Sequence, residues 1–523
     1  MAARLLEVVV LLCGAGTMTM ELVGSRVFAP YLGTSIYIWT SLIGIVLAAL
    51  SAGYYWGGQL ADRAPETKLF SRIIFAAGLY IALVAYLADP LLVVVLNAFD
   101  DVRLAAVAAT VVLFGPPSVL LGAVLPFAAR LSIHEIDRSG TTVGRLYALS
   151  TIGSISGTFL TGFVLIASFS NTVILLMLAA LLCSTALLAH AQGRLARALV
   201  VGALLFGCAR SEAYELVLKG DLIDVNTRYN RVWIFDTADK MGRRVRRMQV
   251  NDENSSAMLV GSNELVADYT RYYRLAAHFK PDLKSVLMIG GAAYSYPKDF
   301  LARNPEATMD VVEIDPGLTQ LAREHFGLKD DPRLKIYHED ARTLLNRSTE
   351  RYDAVLGDAF RSFAIPHQLT TLEAMRRIHA VLTDDGVAIF NFISAVEGDK
   401  GRLLRAELET LRQVFPRVLV YAVQHPDDGK RVQNLVIVAL KSDRKPKYFS
   451  TDSELNGYLQ HVWVGTIPGD VPVLTDDYAP VERYGLSILP ELSARGWHPV
   501  HRRIMEAFMD PLKAVREARK VRD

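Results

Sequence analysis

Cysteine is scarce in this chain of 523 residues, which has three, at positions 13, 183 and 208. The chain beyond Cys208 therefore has no disulfide, no thiolate metal site and no cysteine nucleophile. Excess charge is also small, because 56 basic residues against 54 acidic ones leave a net charge of +2. So small an excess argues against a nucleic-acid role for the whole protein. We expect neither a metal centre nor a nucleic-acid partner.

Charged residues are sparse before position 210, where several apolar segments are long enough to cross a membrane. We interpret residues 1–210 as a transmembrane helical domain whose partner is a lipid bilayer. A further apolar run, Ala198–Ala209, is short for a span and would be a seventh if it crosses. The six predicted spans are 5–28, 36–58, 70–96, 104–129, 142–168 and 171–190.

The loops between these spans differ in positive charge, which predicts their orientation. Lysine and arginine are concentrated after the second, fourth and sixth spans, within 63–72, 130–145 and 194–197. By the positive-inside rule, the amino terminus and these loops are cytoplasmic. With six spans the rest of the chain is cytoplasmic too, whereas a seventh span would place it outside. We favour six spans, because Ala198–Ala209 is short.

Three features inside the predicted spans have alternative interpretations. Glu21 and Arg26 either pair with each other near the interface or face a partner or a water-filled cavity, because ionisable groups are costly at that depth. Gly115-Pro116-Pro117 predicts a kink in the fourth span. Three glycines would allow a neighbouring helix to approach the fifth span closely, and these are Gly153, Gly157 and Gly162.

The second half of the chain has the mixture of apolar and polar residues that is typical of a globular protein. Short alternating apolar runs such as Arg231–Phe235 and Val245–Val250 predict a small antiparallel β-domain over residues 211–262. A tyrosine-rich helix is predicted over Leu265–Phe279. We predict that residues 446–523 form a C-terminal extension that packs on the domain before it and ends in a basic tail.

The stretch 284–315 is central to the domain predicted over 263–445. A buried strand, Val286–Ile289, is followed by the turn Gly290-Gly291, a helix-length segment, and a second strand that ends in Glu313 and Asp315. This order is typical of the nucleotide-binding half of a doubly wound sheet, in which an acid accepts hydrogen bonds from a ribose diol. Further strands are predicted at 334–337, 352–356, 387–392 and 434–440, the last closing the sheet, with a helix over 372–382. We therefore predict a Rossmann-like α/β fold of the methyltransferase type.

Acidic residues follow three of these predicted strands. Glu313, Asp340 and Asp358 each stand where a strand ends. Because ligands of such sheets bind beyond the carboxyl ends of the strands, we expect the three carboxylates to meet in one crevice.

The order of these parts resembles that of the spermidine synthases, the polyamine aminopropyltransferases. The matching residues are Tyr229–Val232, Ile289–Gly291, Val312–Asp315, Asp331–Arg333, Asp340 and Gly357–Phe360. The whole chain is similar to bacterial proteins that fuse a major-facilitator-like membrane part to a spermidine synthase, through Leu60–Arg63, Gly144–Ser154 and Thr475–Glu482. This resemblance implies a multi-pass protein of the bacterial inner membrane, and it leaves a homodimer open.

The resemblance also implies roles for individual residues. Glu313 would accept the ribose diol, Asp340 would bind the adenine amino group, and Asp358 would be the catalytic carboxylate that activates an acceptor amine. The donor would be decarboxylated S-adenosylmethionine or S-adenosylmethionine itself, with no metal. The other residues predicted to bind the donor are Gly290, Gly291, Asp315 and Ala341.

This chain departs from the spermidine synthase pattern on the acceptor side. Ala293 stands where those enzymes have an acid for the donor amine, and Arg361 stands where they have a second acid for the diamine. Tyr272-Tyr273-Arg274 replaces a tyrosine-histidine-glutamate of their gatekeeping helix. We predict that these three residues and Arg361 contact the acceptor. The arginines suit a carboxylate, on S-adenosylmethionine or on an acidic acceptor, unless they are surface residues.

Three functions are compatible with the sequence. The first is transfer of an aminopropyl group to an amine with release of methylthioadenosine. The second is transfer of a methyl or aminocarboxypropyl group from intact S-adenosylmethionine to an acidic or membrane-associated substrate. The third is a transporter or sensor that binds a nucleoside or polyamine without turnover.

Overall fold

The computed structural model describes residues 3–99, 101–133, 139–190, 197–204, 206–207, 222–251, 253–359, 366–488, 500 and 505. Within the chain there are two compact units, Met1–Arg231 with Trp497–Asp523, and Val232–Gly496. The predicted basic tail lies outside the described residues.

The first unit is helical. Among its described residues, five helices are long and apolar enough to cross a membrane, and a pair of helices bent by 49° would make a sixth. Their positions match the six predicted spans, whereas the spanning itself stays a prediction. Of Ala198–Ala209, the described residues are helical. The elements are α1 (Ala3–Leu32), α2 (Ile36–Arg63), α3 (Thr67–Ala98), α4 (Val102–Leu113), α5 (Gly115–Gly122), α6 (Val124–Ser132), α7 (Ser139–Leu160) with a π-helical turn Thr161–Leu165, α8 (Ile166–Ser168), α9 (Asn171–Ala189) and strand β1 (Ile223–Asn226).

The kink predicted at Gly115-Pro116-Pro117 is present. Helix α4 ends at Leu113, and the helical segment Gly115–Ser132 that follows it is bent by 49° relative to α4. Proline cannot donate a backbone hydrogen bond, so it frees carbonyl groups in the preceding turn. One of these, the Val112 carbonyl four residues before Pro116, accepts a hydrogen bond from the Tyr80 hydroxyl at 2.7 Å.

Two of the three glycines in the fifth predicted span pack closely against α1. A Cβ at Gly153 would lie 2.0 Å from the Leu11 carbonyl oxygen, and one at Gly157 would lie 2.4 Å from that of Ala15. Any larger residue would push the two helices apart. The prediction is wrong for Gly162, because a Cβ there would have no atom within 4 Å.

Arg26 and a buried ionic cluster hold the segment that leads into the second unit. The Arg26 guanidinium donates to the backbone carbonyls of Arg228 (2.8 Å) and Thr227 (2.9 Å). Arg231 binds both oxygens of Asp89 on α3, each at 2.8 Å, and both oxygens of Asp224, at 3.0 and 2.9 Å. Arg26 therefore faces partners within this chain, which is one of the two alternatives that the sequence left open.

The second unit begins with the predicted antiparallel β-domain and continues into the tyrosine-rich segment. Strands β2 (Arg231–Ala238), β3 (Arg244–Val250) and β4 (Glu253–Leu259) pair antiparallel in chain order. The tyrosine-rich segment forms two short helices, α10 (Asp268–Tyr272) and α11 (Leu275–Phe279), instead of the single predicted helix.

The main sheet has the predicted Rossmann-like arrangement of strands alternating with helices. Its strand order is β10-β11-β9-β8-β5-β6-β7, with β9, β8, β5, β6 and β7 parallel to one another. The strands are β5 (Ser285–Ile289), β6 (Thr308–Val312), β7 (Leu334–Tyr337), β8 (Tyr352–Gly357), β9 (Leu382–Ser394), β10 (Arg417–Ala422) and β11 (Gln433–Leu440). The helices are α12 (Ser295–Arg303), α13 (Pro316–His325), α14 (Ala341–Arg347), α15 (Leu372–Val381), α16 (Arg402–Arg412), α17 (Ser453–Leu459) and α18 (Val481–Gly485).

One strand prediction needs correction. We predicted that 434–440 closes the sheet, but β11 lies inside it and pairs antiparallel with both β9 and β10. The edge strand β10 was not predicted, although its residues Val418–Ala422 are all apolar.

Glu407 on α16 is buried in the apolar core on one face of this sheet. Its side chain is fully buried, and neither carboxylate oxygen has a hydrogen-bond partner among the described residues. Burial raises the pKa of Glu407 well above its ordinary value. An acid with a raised pKa contributes stability below its unfolded pKa, and that stability is lost as the pH rises through the folded pKa. Glu407 should therefore destabilise the fold increasingly as the pH rises.

We expect Glu407→Leu to raise the free energy of unfolding by about 1–4 kcal/mol near neutral pH, because leucine leaves no buried acid to protonate. The measurement is the thermal unfolding midpoint of the full chain in detergent across the weakly acidic to weakly alkaline range. The difference between variant and wild type should widen as the pH rises. Glu409→Leu is the matched control, because Glu409 lies on the same helix and pairs with Arg412 at 2.7 Å. A difference that is independent of pH would contradict the prediction.

Candidate functional site

The glycine turn after β5 is shaped by close contact with the end of β8. Gly290 has φ +94°, and a Cβ there would lie 2.8 Å from the Asp358 carbonyl oxygen. Only glycine avoids both the strain of this positive φ and the clash of a Cβ with this oxygen. A Cβ at Gly291 would lie 2.6 Å from the ring of Tyr294. The predicted turn therefore brings the ends of β5 and β8 together.

Tyr294 is a feature of this turn that sequence reasoning missed. It has φ +55°, which is uncommon for a residue other than glycine, and its ring is fully buried. Its hydroxyl hydrogen-bonds Thr319 Oγ1 at 2.7 Å, and Thr319 in turn contacts His338 Nε2 at 2.9 Å. These contacts hold the turn against α13 and the end of β7.

Glu313 joins the glycine turn to the end of β6. Its buried carboxylate accepts hydrogen bonds from the backbone N–H groups of Gly291 (2.9 Å), Ala292 (3.1 Å) and Asp315 (3.0 Å). A carboxylate has about four lone-pair sites, so one is left for a ligand hydroxyl. The geometry is compatible with the predicted ribose contact.

Asp315 and Asp340 both begin helices at the carboxyl ends of strands. Asp315 is fully buried and accepts from the Gly317 N–H at 3.0 Å. Asp340 is partly exposed and accepts from the backbone N–H of Thr343 at 2.9 Å, beside the buried Ala341 that starts α14. Both acids thus act as helix caps. Their predicted contacts with a donor stay predictions.

Asp358 lies directly after β8, and its backbone N–H donates to the Ile289 carbonyl at 2.9 Å. The Tyr269 hydroxyl donates to its Oδ2 at 3.2 Å. Although the residue as a whole is half-buried, burial of the carboxyl group raises its pKa to about 7, while hydrogen bonds from Tyr273, Tyr269 and Asn391 lower it. The strand end therefore holds a carboxylate that can take up a proton near neutral pH.

Tyr269 and Tyr273 form the wall beside Asp358. Their ring centroids lie 6.1 Å apart in an edge-to-face arrangement, and the Tyr273 hydroxyl also lies 3.4 Å from the Gly357 carbonyl oxygen. Burial and the nearby Asp358 carboxylate raise the pKa of both tyrosines well above the ordinary value, so both stay hydrogen-bond donors. Sequence reasoning missed Tyr269 and Asn391. A spacing of four residues, which places Tyr269 and Tyr273 on one helical face, was the available signal for the tyrosine.

Tyr272 points elsewhere. Its hydroxyl lies 2.9 Å from His461 Nδ1, and its ring packs at a tilt against Tyr458 with centroids 4.6 Å apart. None of these contacts is with Asp358, so of the two tyrosines predicted to contact the acceptor, Tyr273 is the one beside the carboxylate.

Arg274 has acidic partners within this chain. Its Nη2 and Nε donate to Asp299 on α12, at 2.8 and 3.2 Å, and Nη1 donates to Glu454 on α17. It lines a cavity of about 230 Å³ together with Tyr296, Asp299 and Glu454. The guanidinium is therefore bound by two carboxylates of this chain, and its predicted contact with the acceptor stays a prediction. Arg361 lies outside the described residues.

The carboxylates predicted to converge stand at one edge of the sheet. Glu313, Asp340 and Asp358 follow β6, β7 and β8, which lie in the order β8-β5-β6-β7 with the glycine turn at β5. Among the described residues, no group of three or more histidine, cysteine or acidic side chains could hold a metal ion. Glu313, Asp340 and Asp358 thus lie at the carboxyl ends of their strands, on the same side as the glycine turn.

Comparison with known proteins shows that this part of the chain is similar to a known domain. Residues 272–445 match the family model of the spermine/spermidine synthase domain. The chain is 27% identical to the polyamine aminopropyltransferase of Vibrio vulnificus over 208 residues, 39% of this chain and 65% of that protein. It is 30% identical to that of Streptococcus pneumoniae over 165 residues, 30% of this chain and 56% of that protein. The chain therefore spans between half and two thirds of the length of these relatives.

Two further similarities were found. The chain is 29% identical to the N-terminal histidine N-methyltransferase of Emericella nidulans over 171 residues, 32% of this chain and 29% of that protein. Among solved structures, a probable spermidine synthase from Corynebacterium glutamicum is 24% identical, with a TM-score of 0.40, and the match covers 47% of this chain and 88% of that one.

Proposed function

We propose that the second unit transfers an aminopropyl group from decarboxylated S-adenosylmethionine to an amine and releases methylthioadenosine. The observation that carries this proposal is Asp358, a carboxylate with a pKa of about 7 that stands against the glycine turn. The matching family model, which includes the glycine turn, Glu313, Asp340 and Asp358, supports it.

In this reaction the amine nitrogen attacks the donor carbon next to the sulfonium. The new C–N bond forms as the C–S bond breaks, and its electrons go to sulfur, which leaves as a neutral thioether. The surplus proton of the amine passes to Asp358. An alkyl amine has a pKa of about 10.4, so a base raised to about 7 makes the proton transfer less unfavourable than an ordinary carboxylate would.

The nucleoside end of the donor would bind at the glycine turn. Glu313 would accept from the ribose diol through its remaining lone pair, and Asp340 with Ala341 would face the adenine. Because Glu313 is held by the backbone of the turn, it is already oriented before the donor arrives. Tyr269 and Tyr273 would hold Asp358 and line the acceptor side.

We also propose that the first unit anchors the chain in a bacterial inner membrane, with the second unit on the cytoplasmic side. The lengths of the five apolar helices and the bent pair support the membrane location. The positive charges that follow the even spans support the orientation. The acceptor would then be an amine reached from the cytoplasm.

A second candidate is transfer of a methyl or aminocarboxypropyl group from intact S-adenosylmethionine. Ala293 favours it, because this residue is fully buried and presents an apolar side chain at the position where spermidine synthases have an acid for the donor amine. Without that acid, the site lacks one of the contacts that would favour the decarboxylated donor over the intact one.

Calorimetry on the full chain in detergent tests the proposal and separates the candidates. We expect methylthioadenosine to bind, and decarboxylated S-adenosylmethionine to bind more tightly than the intact donor. Incubation with the decarboxylated donor and a diamine should release methylthioadenosine, which chromatography detects. Preference for the intact donor would favour the second candidate. Binding without release of a product would indicate a sensor or transporter.

A further inference from the structure

The segment between β11 and α17 exposes positive and aromatic side chains side by side. Arg444, Lys445 and Lys447 are exposed, and they are followed by Tyr448, 51% exposed, and Phe449, 67% exposed. Single exposed aromatics are ordinary on protein surfaces, whereas two in sequence next to three cations form a patch with a defined chemistry. We call residues 444–449 the basic-aromatic segment.

The backbone around this segment is held in place at several points. His278 Nε2 donates to the Lys447 carbonyl at 2.7 Å, and the Ser450 N–H donates to Asn456 Oδ1 at 3.2 Å. On the other side, the Arg444 N–H donates to Ser442 Oγ at 3.1 Å. The segment therefore presents its side chains from a fixed backbone.

The positive charges of the segment are available for a partner. Within the part of the chain that the structure describes, Arg444, Lys445 and Lys447 form no ion pair. The neighbouring acid, Asp443, is bound by Arg417 at 2.9 Å. Lys441 is different, because its Nζ donates to two backbone carbonyls, those of His379 and Leu382.

Cations next to exposed aromatic rings fit an anionic lipid surface. Lysine and arginine are attracted to the headgroups, and amphipathic aromatic rings settle at the boundary between headgroups and acyl chains. Each cation near such a surface contributes about fivefold in binding, so three contribute about 150-fold. Membrane binding of this strength is weak for a free protein, but it is sufficient for a unit tethered to the same bilayer, where the effective concentration is high.

We propose that the basic-aromatic segment docks the second unit on the anionic leaflet of the membrane that carries the apolar helices. This proposal depends on the membrane location proposed above and is independent of the catalytic reaction. Phe449 and Tyr448 enter the interface, and Arg444, Lys445 and Lys447 bind lipid phosphates.

The test uses the full chain in lipid nanodiscs, with the native cysteines replaced by alanine and an environment-sensitive fluorophore on Phe449→Cys. We expect quenching by lipids with brominated acyl chains in discs rich in phosphatidylglycerol, and much less in phosphatidylcholine alone. A fluorophore on Met241→Cys, an equally exposed site at 71%, is the control and should not be quenched. Equal quenching at position 449 in both lipids, or none in either, would overturn the proposal.

Charge variants make the test specific to this segment. The pair Lys445→Gln and Lys447→Gln should lower the ratio of docked to free protein by about 30-fold, because two of the three cations are lost. The matched pair Lys240→Gln and Lys329→Gln removes two exposed charges elsewhere and should change it little. If fluorescence at position 449 responds to a second copy of the chain in the disc instead of to the lipid, the segment is a protein interface and the proposal is wrong.

Discussion

Replacement of Asp358 by asparagine is expected to lower the rate of group transfer by about 10²- to 10⁴-fold, because the variant has no base to accept the proton of the amine. Methylthioadenosine should still bind, since its predicted contacts are with the glycine turn and Glu313. The measurement is the release of methylthioadenosine by the full chain under saturating donor and amine. A variant that keeps more than about a tenth of the wild-type rate would contradict the role of Asp358 as the base.

The pH dependence of the wild type provides an independent check. The base acts when it is deprotonated, so the rate should fall about tenfold per pH unit below a pKa of about 7 and level off above it. Tyr269→Phe removes a hydrogen bond that lowers the pKa of Asp358, so the acidic limb of the profile should move to higher pH. Tyr478→Phe, on an exposed tyrosine, is the matched control and should leave the profile unchanged.

Loss of activity in Asp358→Asn should not come from unfolding. The pKa of this carboxyl is raised from 3.8 to about 7 in the fold, so its contribution to stability is complete below 3.8 and is lost as the pH rises through 7. Asparagine cannot ionise, and the variant should be at least as stable as the wild type at alkaline pH. A variant that unfolds more readily there would show that Asp358 has a structural role.

Replacement of Asp299 by leucine is expected to lower the free energy of unfolding by about 3–5 kcal/mol, because it leaves a largely buried arginine without its main partner. Asp299 is 5% exposed and binds Arg274 through both oxygens, and it also accepts from Arg303 Nε at 3.0 Å. The thermal unfolding midpoint of the full chain in detergent is the measurement.

Asp331→Leu is the matched control for this experiment. Asp331 also pairs with an arginine, Arg333, but near the surface, where an ion pair contributes about 0–1 kcal/mol. The double variant Asp299→Leu with Arg274→Leu should recover part of the lost stability, since the unpaired charge is removed as well. If Asp299→Leu and Asp331→Leu have equal effects, the Arg274 pair is not an important contribution to stability.

Local sequence determined the architecture of the second unit. Strand β7 was predicted at its observed bounds, Leu334–Tyr337, and the alternation of apolar strands with helices predicted the parallel sheet. The positions of Glu313, Asp340 and Asp358 at strand ends followed from this alternation, because an acid that directly follows an apolar run can be recognised in the sequence alone. In the first unit, length and apolar character were sufficient to locate the long helices.

Tertiary structure alone decided which side chain meets which. Sequence placed Tyr272, Tyr273 and Arg274 together on the acceptor side, yet in the structure Tyr273 lies with Tyr269 beside Asp358, whereas Arg274 binds Asp299. The position of β10 at the edge of the sheet was likewise decided by the tertiary structure. The physical reason is that hydrophobic periodicity reports which face of an element is buried, whereas the partner on that face comes from segments far away in the chain.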